Sequence, residues 1–355
     1  MTDRYQRILI IKPSALGDIV LALPALSLIR TSFPEAQISW LVCPEFAPLL
    51  EGHPYINDLI HFDRRSIRRA WRSKQGWYAL RDLVRELRSH HFDVVFDFQG
   101  LLRTGLAGRL TGAPDRFGPA NAREGAPLFY SHRIKPDEGT QHLVDHYHRI
   151  VTAAGGHVSH DRPRFVFPED PQADSEVQAL LTQQNVSPER YAVLVPGSAH
   201  PDKCWPVERF AQLADRLQRT YHLPVVVSGS PGEMAVAQDL LSQAQSSPVN
   251  LAGKTHLRQL TTLLKQAKLV VSNDTGPGHI AAGLGVPLVM LFSWSNPARI
   301  YPYGRPECMV AVEPFSRGWR IRSHSPRHLV AAITVDDVWA QVAKQLDSSV
   351  DGVIF

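Results

Sequence analysis

Leu269–Phe292 reads LVVSNDTGPGHIAAGLGVPLVMLF, and this stretch decides the fold. Leu269–Ser272 (LVVS) is a short β-rich run, and Ser272-Asn273-Asp274-Thr275-Gly276-Pro277-Gly278-His279 turns out of it into a small-residue helix over Gly276–Leu284. Pro287–Phe292 is apolar and strand-like again. A strand, a helix and a strand in so short a span make a βαβ unit, which requires a parallel sheet with a right-handed crossover.

The same rhythm runs outward in both directions. Towards the N-terminus, Ala192–Val195 is a strand ending in Pro196-Gly197-Ser198, and Val207, Phe210, Leu213, Ala214 and Leu217 mark one face of the helix after it. Val225–Ser228 is a strand, Glu233–Leu241 a helix, and Leu257, Leu260, Leu263 and Leu264 stripe another. A final helix carries Val335, Val338, Trp339, Val342 and Leu346. The first half repeats the pattern: strands at Arg7–Lys12, Gln37–Val42, Leu59–Phe62 and Asp93–Phe96, helix over Leu16–Ser32 interrupted at Pro24, and helix over Trp77–Ser89. The chain is therefore α/β, with two doubly wound domains: 1–165, a Pro- and acid-rich linker at 166–188, and 189–355. The helix at 335–347 is placed as packing back towards the first domain.

Length and composition agree. A chain of 355 residues exceeds one ordinary domain, and 44% hydrophobic residues supply two cores. No run is long and apolar enough to span a bilayer: Lys12 and Asp18 interrupt Ile8–Ile29, which reads as strand plus helix rather than as a signal peptide. Cys43, Cys204 and Cys308 form no paired motif, so neither a disulfide framework nor a zinc site is expected, and a cytoplasmic location fits. The net charge of +4 sits wholly in residues 1–160, with 20 Lys/Arg against 16 Asp/Glu. That half is expected to face something anionic.

Four clusters carry chemistry. Lys12-Pro13-Ser14-Ala15-Leu16-Gly17-Asp18 lies where the first strand gives way to helix. Asp18 in isolation reads as a capping acid stabilised by the helix dipole; at a strand's carboxyl end it also suits a general base for an acceptor hydroxyl. Ser198 and Lys203 follow the Ala192–Val195 strand and can meet a phosphate, although a loop lysine alone is usually just solvated. In the deciding stretch, the helix N-terminus offers N–H groups to an anion, Thr275 and Gly276 add donors, and Asp274 can accept from a sugar hydroxyl. Glu233, after Ser228-Gly229-Ser230-Pro231-Gly232, can hold ribose hydroxyls or serve as an N-terminal helix acid.

Gly276, Gly278 and Ala281 also match a loose GxGxxA, but the strand is late in the chain and the position about 20 residues on is not acidic. There is no Asp-x-Asp, and the histidines His90, His91, His142 and His146 lack further ligands at suitable spacing, so no metal is expected. Arg64–Arg88 holds nine basic residues against Asp82 and Glu86, with Trp71, Trp77 and Tyr78 interleaved. No nucleic-acid motif accompanies it; an anionic lipid surface or phosphorylated glycan fits better, a solvated helix face being the plain alternative.

ILIIKPSALGDIVLALPAL, VPGSAHPDKCWPVERFAQLA and LVVSNDTGPGHIAAGLGVPLVMLF together resemble glycosyltransferase family nine, the lipopolysaccharide heptosyltransferases. The resemblance runs from about Arg7 to Gly304, with a weaker match at AITVDDVW (332–339). It implies a GT-B fold, two Rossmann-like domains facing a central cleft, with acceptor in the first and donor in the second. It implies an inverting, metal-independent transfer from ADP-L-glycero-D-manno-heptose to the lipopolysaccharide inner core, on Kdo or heptose, at the inner face of the inner membrane. Under it Asp18 is the base, with Lys12, Ser14 and Gly17 on the acceptor side. Ser198, Lys203, Glu233, Asp274, Thr275, Gly276 and His279 bind the donor. Alternatives are another nucleotide sugar as donor, a sugar-nucleotide epimerase of the same fold, and a non-catalytic glycan-binding protein.

Overall fold

In the computed structural model, the residues described are 4–64, 73–137, 142–157, 164–317 and 322–347. The chain divides into two units, Met1–Glu169 and Asp170–Phe355. Each is built on a six-stranded sheet, parallel throughout.

The first sheet comprises β1 (Arg7–Ile11), β2 (Gln37–Val42), β3 (Asp58–His61), β4 (Val94–Asp97), β5 (Asp115–Pro119) and β6 (His132–Ile134). The second comprises β7 (Ala192–Val195), β8 (Val225–Val227), β9 (Val249–Asn250), β10 (Leu269–Asn273), β11 (Leu288–Phe292) and β12 (Met309–Ala311). The orders are β3-β2-β1-β4-β5-β6 and β12-β11-β10-β7-β8-β9. Read from each unit's own first strand, both are 3-2-1-4-5-6, the Rossmann order. The strand order reverses between β1 and β4 and between β7 and β10, and at these points the loops leaving the carboxyl ends part and open a crevice.

The central strands are apolar along their length because helices cover both faces. β4, β7, β10 and β11 are buried at every residue. The two cores are distinct, one around Leu9, Ile11, Leu41, Ile60 and Val95, the other around Leu194, Phe210, Leu217, Val271 and Leu291. Pro24 does interrupt the first helical stretch, giving Leu16–Val20 and Leu23–Ser32 with the proline in the opening turn of the second.

The stretch 166–188 holds a helix of the second unit, Pro171–Gln183, capped by Asp170 and burying Ala173, Val177 and Leu181. Polar ties fix it to the helix Leu257–Lys265: Arg258 to Asp170 at 2.7 Å and Thr262 to Asp174 at 2.9 Å. The helix Val335–Asp347 packs its apolar face, Val338, Val342 and Leu346, on the second unit's own core.

Candidate active site

In the first unit, the end of β1 delivers Lys12 into the crevice beside β4. Its side chain is 3% exposed, and Nζ reaches Asp18 Oδ2 at 3.2 Å and the Phe98 carbonyl at 3.4 Å. The Tyr147 ring centroid lies 5.8 Å away, and Trp40 fixes the backbone by donating to the Lys12 carbonyl. Burial alone would lower the ammonium's pKa; Asp18 and Tyr147 outweigh it, and the group is held above its ordinary value. Asp18 lies in the first turn of Leu16–Val20 with 41% of its side chain exposed. One end of the pair is therefore anchored in protein and the other meets solvent. Ser14 is buried and accepts from Arg64, which also pairs with Glu45 at 3.1 Å. Gly17 is half-buried beside Asp18.

A second carboxylate, Asp97, ends β4 and is almost fully buried. It accepts from Tyr130 at 2.7 Å and from the backbone N–H groups of Gln99 and Gly100. Burial pushes its pKa up in spite of these donors. Gly118 of β5 makes room for this arrangement, since a Cβ there would lie 2.4 Å from the Tyr130 ring.

In the second unit the loops after β7 and β10 meet. Lys203 Nζ lies 2.6 Å from Asp274 Oδ2, with the two side chains 15% and 3% exposed. Ser295 donates to the same oxygen at 2.5 Å, and His279 Nε2 lies 3.5 Å from Oδ1. Burial alone would raise the Asp274 pKa; His279 and Lys203 reverse that and hold it well below the usual carboxylate range. Asp274 is thus a buried anchor that fixes Lys203. Asn273 stitches the two loops together, donating to the Pro196 carbonyl at 2.8 Å and accepting from the Trp205 N–H.

Glu233 is brought to the same place from β8. Its Oε2 accepts from the Ser230 N–H at 2.7 Å, and its carboxyl carbon would lie 2.3 Å from a Cβ at Gly197. It therefore lies across Gly197, next to Ser198, whose hydroxyl accepts from the His200 N–H at 3.3 Å. Thr275 precedes the helix Gly276–Gly283 without capping it; its hydroxyl is engaged with Ser272 at 3.1 Å. The first-turn N–H groups have no side-chain acceptor from Thr275, although Pro277 removes one donor. Gly278 is explained by packing, because a Cβ there would lie 3.1 Å from Met290 and Ser272.

Each unit thus assembles its own predicted residues: Lys12, Ser14, Gly17 and Asp18 in one, Ser198, Lys203, Glu233, Asp274, Thr275, Gly276 and His279 in the other. Sequence reading misses Tyr147, Asp97, Tyr130 and Ser295, and with them Trp294, whose ring centroid lies 4.8 Å from Lys203 Nζ, and Arg322, whose guanidinium lies 4.5 Å from the same centroid. Asp97 and Ser293–Asn296 (SWSN) directly end or follow strands, which is a usable signal. Tyr147 and Arg322 come from segments distant in sequence. Among the described residues no three His, Cys, Asp or Glu side chains group as metal ligands, and no helix is long and apolar enough to cross a membrane. Within the basic stretch, residues 65–72 lie outside the described residues. The rest forms the helix Lys74–Ser89, with Trp77 57% and Tyr78 50% exposed.

Two Rossmann-type units, each with a lysine–aspartate pair set at the carboxyl end of its central strands, give the chain a GT-B fold. The chain belongs to glycosyltransferase family 9 (heptosyltransferase), whose family model matches residues 80–318. It is 27% identical over 315 residues to the lipopolysaccharide core heptosyltransferase OpsX of Haemophilus influenzae, covering 88% of this chain and 86% of that one. It is 30% identical over 306 residues to lipopolysaccharide heptosyltransferase 1 of Salmonella typhimurium, covering 84% and 92%. Its fold is similar to that of E. coli heptosyltransferase WaaC solved with ADP-2-deoxy-2-fluoro heptose, with a TM-score of 0.72, 24% identity, and 96% and 99% of the two chains covered.

Proposed function

We propose that this enzyme transfers heptose from ADP-L-glycero-D-manno-heptose to the lipopolysaccharide inner core, on a Kdo or heptose hydroxyl, by an inverting displacement that needs no metal. The observation that carries this reading is the pair of lysine–carboxylate sites, one per unit, at the positions where the Rossmann order opens a ligand crevice. The named activities of its relatives support the sugar and the acceptor class.

Asp18 takes the proton of the acceptor hydroxyl as that oxygen attacks the anomeric carbon, and the proton passes on to water. Lys12, at 3.2 Å, holds the carboxylate in place, and Ser14 and Gly17 border the acceptor. The bond from the anomeric carbon to the diphosphate oxygen breaks, and the electron pair leaves with ADP. Lys203, Ser198 and the N-terminal turn at Thr275–Gly276 stabilise that charge, with Asp274 and His279 fixing Lys203. Glu233 beside Gly197 holds the nucleoside. The chain's own cation stands where a metal would otherwise neutralise the diphosphate.

The acceptor is lipid-linked, and the amphipathic helix Lys74–Ser89 with exposed Trp77 and Tyr78 suits peripheral contact with an anionic membrane on its cytoplasmic face. Cosedimentation with anionic vesicles, lost in Trp77→Ala/Tyr78→Ala, tests this contact.

The experiment for the whole reading is a thermal-shift titration with ADP, UDP, GDP and their sugar conjugates in EDTA. Stabilisation by ADP and ADP-heptose, lost in Lys203→Ala, is expected. Selective stabilisation by UDP or GDP conjugates would overturn the donor, and a strict need for added metal would overturn the metal-free mechanism.

A further inference from the structure

The ring of Trp294, just after β11, gathers positive charge. Lys203 Nζ lies 4.8 Å and the Arg322 guanidinium 4.5 Å from its centroid, and the His200 ring meets it edge-on at 5.8 Å. Arg322 is held there by backbone pairing: it forms an antiparallel bridge with Ser295, and the Ser323 N–H donates to the Trp294 carbonyl at 2.7 Å. The loop under it is pinned by Arg317, which is 6% exposed and donates to the carbonyls of Ser293, Ser295 and Val312.

The balance of charge is uneven. Lys203 is already neutralised by Asp274 at 2.6 Å. Glu313, the acid close to this loop, is engaged by His328 at 3.3 Å. Among the described residues Arg322 makes no ion pair, and Arg317 has only carbonyl partners. A neutral Lys203–Asp274 pair is a weak counter-charge for a diphosphate, and an exposed guanidinium on the same indole supplies what is missing. The planar fork of an arginine also matches phosphate oxygens two at a time, which an ammonium cannot do.

We infer that Arg322, seated on Trp294 beside Lys203, contacts the donor diphosphate and stabilises it as it departs. This rests on the reading that the second unit binds a nucleoside diphosphate. Arg322 then carries the net positive charge of the leaving-group site, while Lys203 with Asp274 sets its geometry.

Calorimetric titration of Arg322→Gln and Arg322→Lys with ADP and with adenosine, alongside steady-state turnover, tests the assignment. Arg322→Gln is expected to weaken ADP about tenfold, the effect of one lost charge-assisted hydrogen bond, with adenosine affinity and melting temperature unchanged. Turnover falls with it, and Arg322→Lys recovers part of both. ADP affinity and turnover within twofold of wild type in Arg322→Gln would overturn the inference. An equal loss for adenosine would also overturn it, since that places Arg322 at the nucleoside. If the wild-type protein binds no nucleoside diphosphate, the underlying reading falls and this one with it.

Discussion

Lys203→Ala removes the cation from a carboxylate that has almost no access to water. Asp274 keeps 3% of its side-chain surface and depends on Lys203 at 2.6 Å, Ser295 at 2.5 Å and His279 at 3.5 Å. Breaking a buried pair by deleting one partner costs about 3–5 kcal/mol, because the remaining charge is stranded. Ser295 and His279 still serve Asp274, so the lower end, about 3 kcal/mol, applies here. For a unit of this size that is a fall in melting temperature of about 6–12 °C. Lys203→Met/Asp274→Asn removes both charges and is expected to recover most of it. The sign with pH is fixed by the depressed Asp274 pKa. Its stabilisation is fully present above the unfolded value, about 3.9, and is lost as pH falls towards the folded one. The gap between wild type and Lys203→Ala therefore narrows below about pH 4. The assay is calorimetric melting from pH 3 to 8. A Lys203→Ala protein melting within about 2 °C of wild type at neutral pH, or a double variant less stable than the single, would refute the reasoning.

Asp18→Ala is expected to lower turnover by about 10²–10⁴-fold while ADP affinity measured by calorimetry stays put; a loss under about threefold removes Asp18 from the role of base. Gly197→Ala forces a Cβ to within 2.3 Å of Glu233, the movable end of a side chain. Melting should change little, while ADP affinity drops about fivefold as Glu233 is displaced, and unchanged affinity would separate Glu233 from the nucleoside. Tyr130→Phe takes a donor from buried Asp97, and chemical denaturation should show a loss of about 1–3 kcal/mol at neutral pH. The Asp97 pKa is raised, so its ionised form is the costly one; the penalty shrinks as pH falls through that folded value, and a pH-independent penalty would contradict it.

Residue order was enough to read the architecture and the turn after β10. Apolar runs of four to six residues followed by amphipathic helices leave a parallel sheet as the arrangement that buries both faces, and AVLV, LVVS and LVMLF are that signal in undiluted form. Asp18, Lys203 and Asp274 were legible because they sit in the strand-to-helix connections after β1, β7 and β10, and their motifs occur in order. β5, β6, β9 and β12 were not. DRFGP in β5 carries Gly118, where a Cβ would run into the Tyr130 ring, and β6, β9 and β12 are only two or three residues long. None leaves a periodicity to read. The Pro- and acid-rich stretch after residue 166 looked like a linker because its burial stripe is thin, Ala173, Val177 and Leu181, and its hold on the second unit is polar.

Only the tertiary structure decided how the charges are shared. That Asp274 is spent on Lys203, that Ser295 and His279 support it, and that Arg322 has no ion pair among the described residues depends on loops after β7, β10 and β11 and on a segment beyond β12. Ion pairing depends on distances of a few ångströms and on exclusion of water, and neither is a property of residue order.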